Sequence, residues 1–248
     1  MFWIGFIKNI IFLQLMDYKN LAVLGTSHIA KQSLDEVKKK IDEEKPDIIA
    51  VELDSKRLPA LMSNAPRKIQ LRAIRQIGIK GFIFLLFAAW AEKKLGNLVG
   101  MAPGSEMKQA VRIARKKGIQ LALVDQDIEI TLQRISKSLT WKEKRNFLAD
   151  IAKAAFSGKK EAEFDLRTVP EKKIIKKLTE HMRKRYPNLH KALVEERNEV
   201  IAQNIKNLIL SNPGKKILAI LGAGHVDEVL DLVKKNEEVS LNYRYTIG

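Results

Sequence analysis

One eight-residue pattern occurs twice in this 248-residue chain. Residues 21–28 read LAVLGTSH, and residues 218–225 read LAILGAGH. Each copy is a short apolar run, typical of a buried strand, in which a glycine at the strand end is followed three residues later by a histidine. Because parallel strands present their carboxyl ends at one edge of a sheet, we expect His28 and His225 to lie on the same, ligand-binding edge.

Strand and helix patterns alternate along much of the chain. Short apolar runs are separated by segments with apolar residues at helical spacing, and Gly118 ends one of these segments as a helix C-cap. This alternation predicts an α/β fold with a mostly parallel central sheet flanked by helices. The expected strands are 21–24, 48–51, 119–124, 216–221 and an edge strand at 241–246, and the expected helices are 31–44, 105–117 and 226–235.

The chain is expected to consist of a short N-terminal extension and one domain. Residues 1–16 are apolar but shorter than the ~20 residues that span a bilayer. They are either an over-long start, with Met16 as the true initiator, or a short amphipathic anchor. Residues 17–248 are expected to form one domain, with helical insertions at about 60–100 and 136–210.

The second insertion has an almost wholly helical pattern. Its two histidines, His181 and His190, are expected at the surface. Its expected helices are 141–156, 170–185 and 187–210.

Charge and cysteine content exclude several kinds of site. The chain carries 45 Lys and Arg against 29 Asp and Glu, a net charge of +16, and no cysteine. A disulfide scaffold, a thiolate-bound metal and a thiol nucleophile are therefore excluded, and any metal must be held by His, Asp or Glu. The excess of basic residues is concentrated in 56–80 and 159–191 without a nucleic-acid-binding motif. We expect no nucleic-acid partner and a solvated basic surface, with an anionic membrane surface as the alternative.

A basic amphipathic segment over 67–80 precedes an apolar run over 81–90. This combination is typical of a membrane-surface contact or of one wall of an apolar groove, and a buried helical hairpin is an equal alternative. No segment reaches transmembrane length. The expected location is the cytoplasm, either free or peripheral at the membrane.

Carboxylates are expected at the same sheet edge as the two histidines. Glu52 follows the second strand, Glu106 begins a helix, and Asp125 and Asp127 follow a third strand. Two imidazoles with one or two carboxylates suit a divalent ion such as Zn, Mn, Co or Fe. An ion of this kind activates water and polarises a carbonyl, which are the requirements for hydrolysis.

A helix with the sequence Glu195-Glu196-Arg197-Asn198 supplies a third element. Its arginine is either an ordinary solvated ion-pair partner or, together with Arg57 and Arg134, part of a set of cations that stabilises an oxyanion or holds a substrate carboxylate.

In this order along the chain, these segments resemble the TraB/PrgY family, which is related to the Tiki and GumN proteins and more distantly to the ChaN and erythromycin-esterase-like fold. Archaeal-type members are the most similar. The resemblance covers most of 21–232, and the segments that carry it are 25–28 (GTSH), 51–54 (VELD) with Arg57, 103–107 (PGSEM), 125–128 (DQDI) with Thr131 and Arg134, 196–198 (ERN) and 222–225 (GAGH).

The resemblance implies a metal-dependent, peptidase-like hydrolase acting on a peptide or similar amide. His28 and His225 would be metal ligands, Glu52 or Glu106 would complete the site or act as general base, and Arg197 would orient groups or stabilise charge. Arg57 joins these as a catalytic candidate. The other expected binding residues are Asp125, Asp127, Thr131, Arg134, Glu196 and Asn198.

A different class of function stays open. Some members of the family are linked to shutting down peptide pheromone signalling, so the alternative is a non-catalytic protein that binds and sequesters a peptide, associated with a membrane surface. The family is also compatible with a homodimer. One departure bears on activity: the chain has Gln126 between Asp125 and Asp127, where the family usually has arginine, which removes a charged contact.

Overall fold

The structure is a computed structural model that describes residues 15–26, 31–63, 74, 75, 78, 82, 104–156 and 172–244. The described strands are β1 (Leu15–Tyr18), β2 (Leu21–Thr26), β3 (Ile48–Val51), β4 (Gln120–Leu123) and β5 (Ile217–Gly222). The described helices are α1 (Lys31–Glu44), α2 (Arg57–Met62), α3 (Ser105–Lys117), α4 (Ile128–Ser138), α5 (Trp141–Phe156), α6 (Lys172–Arg185), α7 (Pro187–His190), α8 (Glu196–Ser211) and α9 (Val226–Arg244). A π-helical turn, Lys191–Glu195, joins α7 to α8.

The described strands form a sheet in the order β1-β2-β5-β3-β4. Strands β2, β5, β3 and β4 are mutually parallel, and β1 runs antiparallel to β2 at one edge. The expected α/β fold with a mostly parallel sheet is confirmed. The two strands that carry the repeated pattern are hydrogen-bonded neighbours, with Gly25 opposite Leu221 and Thr26 opposite Gly222.

Helices cover both faces of the sheet. On one face, Val37 and Ile41 of α1 and Met107 and Val111 of α3 pack with Ile220 of β5. On the other, apolar residues of α8 and α9 pack with the alternate residues of the strands. Every residue of β5 is buried, as expected for a central parallel strand. The described helices and the sheet therefore form three layers, with the sheet in the middle.

Glycines set both ends of α3. Gly104 precedes the helix with φ 80°, and Gly118 ends it with φ 68° while its N–H donates to Ala114 O and Arg115 O. Both values lie in the left-handed region that favours glycine. The structure therefore confirms the predicted helix boundaries 105–117, and the glycines that set them directly flank the helix in the sequence.

The carboxyl-terminal edge-strand prediction is wrong, because α9 continues to Arg244. No glycine or proline interrupts residues 226–244, so each further residue extends the helix by one hydrogen bond. The antiparallel edge is formed instead by β1 at the other end of the chain. Apart from Phe82, which is buried, the apolar run over 81–90 lies outside the described residues. In the described part of the chain, every helix is too short or too polar to cross a membrane.

Candidate functional site

Three side chains of the candidate site follow neighbouring parallel strands. Glu52 comes directly after β3, Asp125 two residues after β4, and His225 three residues after β5. Arg197 and Asn198 lie in the first turn of α8, which packs on the face of the sheet opposite to α1 and α3. The described parts of the predicted constellation thus meet at the carboxyl edge, where open parallel sheets bind ligands.

Arg197 joins two of these strand ends. Its Nη2 donates to Glu52 Oε1 at 2.6 Å and to Asp125 Oδ2 at 2.7 Å, and its Nε donates to Asp125 Oδ1 at 3.1 Å. Its Nη1 donates to Leu193 O at 3.3 Å, so all three nitrogens are engaged. Burial alone would lower the pKa of Arg197, but the charges and hydrogen bonds of Glu52 and Asp125 outweigh burial and raise it.

Arg57, in α2, also contacts the carboxylate of Asp125. Its Nη2 donates to Asp125 Oδ2 at 3.0 Å and to Glu52 O at 3.2 Å, and its Nε forms an ion pair with Asp54 Oδ2 at 2.8 Å. Asp54 is itself held by the backbone N–H groups of Lys56 and Arg57. The Arg57 side chain is 29% exposed against 14% for Arg197, and no described residue accepts a bond from its Nη1. Arg57 is therefore the arginine with capacity for a bound molecule.

A chain of hydrogen bonds fixes the tautomer of His225. Asn198 Nδ2 donates to Glu228 Oε2 at 2.8 Å, and a carboxylate oxygen that faces an amide accepts from its nitrogen, which sets the orientation of the Asn198 amide. Asn198 Oδ1 then faces His225 Nδ1 at 2.6 Å. Since an amide oxygen only accepts, His225 Nδ1 must carry the proton.

The other ring nitrogen of His225 faces a carboxylate. His225 Nε2 lies 3.5 Å from Glu52 Oε1, and Glu52 Oε2 accepts from Gly222 N at 2.6 Å. With the proton on Nδ1, a neutral imidazole presents the lone pair of Nε2 to a negative oxygen. A second proton on the ring or a metal ion between the two atoms would turn this approach into an attractive contact.

His28, the other predicted metal ligand, lies outside the described residues, but the strand that leads to it is described. Thr26 O accepts from Ala223 N at 2.7 Å, and a Cβ on Gly25 would come within 3.0 Å of Val226. The ends of the two motif-bearing strands are therefore in contact. In the described part of the chain, His, Asp and Glu side chains do not gather in a group of three that could hold a metal.

Glu106 is 1% exposed in the first turn of α3. This position matches its expected place at a helix start. The choice between Glu52 and Glu106 as ligand and base stays a prediction.

The remaining predicted residues have contacts of their own. Asp127 caps α4 by accepting from Glu129 N and pairs with Lys56. Thr131 is buried and accepts from Gln126 Nε2 at 2.7 Å. Arg134 and Glu196 form an exposed pair with an N···O distance of 2.9 Å.

The middle residue of the Asp-Gln-Asp segment points away from the network. Its amide bonds to Thr131 in α4, while its backbone N–H donates to Asp125 Oδ1 at 2.8 Å. Asp125 is still bound by Arg57 and Arg197. The expected loss of a charged contact at Gln126 thus leaves the arginine contacts of Asp125 in place.

Comparison with known proteins gives the family of the chain. The TraB/PrgY/gumN family model matches residues 16–238. The chain belongs to this family. It is 35% identical over 228 residues to an uncharacterized protein of Methanocaldococcus jannaschii, with 88% of this chain and 54% of that protein covered. It is 25% identical over 251 residues to a human TraB domain-containing protein, with 91% of this chain and 65% of that protein covered. The chain thus spans between about half and two thirds of these relatives.

Sequence reasoning missed Glu228 of this TraB-family site, which acts through Asn198 and has no local signature beyond being acidic. It included Asp54 in the 51–54 segment but gave it no role, whereas the structure shows Asp54 paired with Arg57. The π-helical turn Lys191–Glu195, which ends two residues before Arg197, was also missed, although such turns often occur at functional sites. The expected surface position of His190 is wrong, since it is 4% exposed beside a small core around Leu189, whereas His181 is exposed.

Proposed function

We propose that this TraB-family protein is a divalent-metal-dependent hydrolase that acts on a peptide or similar amide bond. The observation that carries the proposal is the approach of His225 Nε2 to Glu52 Oε1, with the other ring nitrogen engaged by Asn198. Metal-bound histidines commonly donate their second ring N–H to an amide or carboxylate oxygen, as His225 does here.

The donor set fits a borderline divalent ion. Glu52 and His225 would supply one oxygen and one nitrogen, and His28, which follows the neighbouring strand, is proposed as the third ligand. Glu106 is proposed as the general base if Glu52 is a ligand. Zn, Mn, Co and Fe all accept such nitrogen and oxygen ligands. When bound, the ion would lower the pKa of a coordinated water and polarise a substrate carbonyl.

The charges of the network also leave room for a cation. Glu52, Asp54 and Asp125 supply three carboxylates, which face the two guanidinium groups of Arg57 and Arg197. Glu52 Oε1 accepts from Arg197 Nη2 at 2.6 Å, and a carboxylate oxygen can accept from more than one group. Arg197 therefore holds Glu52 in position in a way that is compatible with a role as ligand.

The two arginines have different parts in the proposed reaction. Arg197 has every nitrogen engaged by groups of the chain, so it orients Glu52 and Asp125 and does not contact substrate. Arg57 is held by Asp54 and Asp125 but keeps Nη1 available among the described residues. We assign Arg57 to hold a substrate carboxylate or a developing oxyanion.

Metal binding is the first property to test. We would measure metal content by plasma mass spectrometry and thermal shift with added Zn, Mn or Co, for wild type, His28→Ala, His225→Ala and Glu52→Gln. A ligand at 100 times its Kd stabilises the folded state by about 2.7 kcal/mol. The proposal expects this shift in wild type and its loss in all three variants.

Two variants serve as controls. Glu143→Gln removes another buried carboxylate, and His181→Ala removes an exposed histidine, so both should keep the metal-induced shift. If wild type holds no metal and none of the three ions raises its melting temperature, the hydrolase proposal is wrong. Peptide binding that survives a chelator, without cleavage, would then favour the sequestering alternative.

If metal binds, a peptide-library cleavage assay tests the reaction itself. The proposal expects turnover that a chelator abolishes and added metal restores. Arg57→Ala should raise KM or lower kcat while leaving metal content unchanged. Metal-loaded protein that cleaves no amide would confine the proposal to metal binding and overturn the assignment of peptidase chemistry.

A further inference from the structure

An exposed tryptophan lies at the corner between α4 and α5. Trp141 is the first residue of α5 and is 84% exposed, the largest value among the exposed large apolar side chains of the described residues. The Nζ of Lys144 lies over the ring of Trp141, 4.5 Å from its centroid, in a cation–π contact that leaves most of the side chain exposed. The exposed ring offers both an apolar face and a polar N–H to a binding partner.

The surface around Trp141 is basic. Lys137, Lys142 and Arg145 are exposed, and Lys144 lies over the ring. The one carboxylate between residues 137 and 149, Glu143, points inward at 1% exposure and bonds to Thr140, Asn188 and Leu189.

A second helix extends this basic surface. Asn146 Nδ2 donates to Arg185 O at 3.3 Å, and Arg185 pairs with Asp150, so the last turn of α6 lies against α5. That turn presents Arg183 and Lys184 to solvent. We name the surface formed by Lys137, Trp141, Lys142, Arg145, Arg183 and Lys184 the Trp141 surface.

We propose that the Trp141 surface docks on an anionic phospholipid membrane. Tryptophan is enriched at membrane–water interfaces, where its apolar ring and polar N–H are both satisfied. Each Lys or Arg next to an anionic leaflet adds about a factor of five in affinity. A single tryptophan surrounded by lysines fits an interface better than single-stranded nucleic acid, which binds rows of aromatic rings. This inference is independent of the proposed hydrolase activity.

The test is sedimentation of the full chain with large unilamellar vesicles. Wild type should bind vesicles of phosphatidylcholine with phosphatidylglycerol, bind pure phosphatidylcholine far less, and release in high salt. Trp141→Ala should weaken binding about tenfold. Lys142→Glu/Arg145→Glu should weaken it by at least about 25-fold, as expected for two basic residues at a factor of five each.

Two matched controls separate this surface from the overall charge. Arg115→Glu/Lys116→Glu changes the net charge equally on the exposed end of α3, and Leu210→Ala removes another exposed apolar side chain on α8. Both controls should change vesicle binding much less than the Trp141-surface variants. Melting temperatures of all variants show whether each is folded.

Three outcomes would overturn the proposal. If the two charge-reversal pairs weaken vesicle binding equally, the net charge of the chain alone explains the binding. Loss of a concentration-dependent dimer in Trp141→Ala, by light scattering, would assign the surface to a second copy of the chain. Binding to a single-stranded oligonucleotide that is tighter than binding to anionic vesicles, and lost in Trp141→Ala, would assign it to nucleic acid.

Discussion

Two buried glutamates in this protein have opposite surroundings. Glu143, in α5, is 1% exposed and accepts from Thr140 N, Thr140 Oγ1, Asn188 N and Asn188 Nδ2 at 2.8–3.0 Å. Leu189 N adds a fifth, longer bond. All of these donors are neutral groups of the chain, and together they join the first turn of α5 to the first turn of α7. The environment of Glu143 is complete, and its function is structural.

Glu52 is 5% exposed and is surrounded differently. It accepts from a guanidinium, Arg197, and from Gly222 N, and it also faces His225 Nε2, whose lone pair is directed by Asn198 toward the carboxylate. These surroundings include charged groups and a second titratable side chain, which the neutral donors around Glu143 do not. The comparison teaches that burial alone does not mark a functional carboxylate; the groups that face it do.

The largest expected effect comes from removing Arg197, which pairs with Glu52 and Asp125. Arg197→Met leaves Glu52 and Asp125 buried without their shared cation, and breaking a buried pair in this way costs about 3–5 kcal/mol of unfolding free energy. Urea denaturation measures this loss. Arg134→Met is the matched control, because its pair with Glu196 is solvent-exposed and worth about 0–1 kcal/mol. Equal losses in the two variants would contradict the difference in burial.

The Glu143 site predicts a pH dependence. Burial would raise the pKa of Glu143, but the bonds from Thr140 and Asn188 outweigh burial and lower it. Its contribution to stability is therefore present above the unfolded-state pKa of about 4.3 and is lost as the pH falls through the lower, folded-state pKa. Glu143→Gln should cost about 1–3 kcal/mol at pH 7, because charged hydrogen bonds are lost and an amide N–H₂ faces N–H donors.

The readout is the difference in unfolding free energy between wild type and Glu143→Gln at several pH values. The difference should shrink below about pH 4.3 as the wild-type carboxylate takes up a proton. A difference that is constant from pH 7 to pH 3 would show that the shape of the side chain matters and its charge does not. Metal binding should be unaffected throughout.

The sequence predicted best what is encoded locally. The boundaries of α1, α3 and α5 follow from apolar spacing and from residues such as Gly118, and the structure confirms them. The meeting of Glu52, Asp125 and His225 followed from their common position after strands. Two expectations failed for different reasons. Strand β1 pairs with β2 across two residues, but its first residues read as the end of an apolar extension. The burial of His190 depends on contacts distant in sequence, because its neighbour Leu189 packs with Ile135 of α4.

The same limit applies to Glu228 in the candidate site and to the structural Glu143. The importance of Glu228 depends on its bond to Asn198, 30 residues away, and that of Glu143 on Asn188, 45 residues away. No spacing rule connects such pairs. The separate roles of the two arginines could not be predicted either, because they depend on which guanidinium nitrogens are engaged.

Asn198 offers a sharper test of the proposed metal site. Asn198→Leu removes the oxygen that holds His225 Nδ1–H, and loss of such a supporting bond weakens metal affinity about 10- to 100-fold, or ~1.4–2.7 kcal/mol. Asn198→Asp combined with Glu228→Gln keeps an acceptor for His225 and a donor between residues 198 and 228, and should retain binding. Competition with a chelator measures both affinities. Gln203→Ala, on the exposed face of α8, is the control. Weaker binding in Asp and Leu variants alike would assign Asn198 a packing role instead.

The smallest effect is expected at a lysine with contacts as short as those of Arg197. Lys56 Nζ lies 2.6 Å from both Asp127 Oδ2 and Glu129 Oε2, and Arg197 Nη2 lies 2.6 Å from Glu52 Oε1. The Lys56 side chain, however, is 50% exposed, so water and salt screen its charges and already solvate the separated groups. Lys56→Met should therefore change the melting temperature far less than Arg197→Met, and 0.5 M NaCl should remove what difference it makes. A loss comparable to that of Arg197→Met would mean that contact distance, and not burial, determines the strength of ion pairs in this protein.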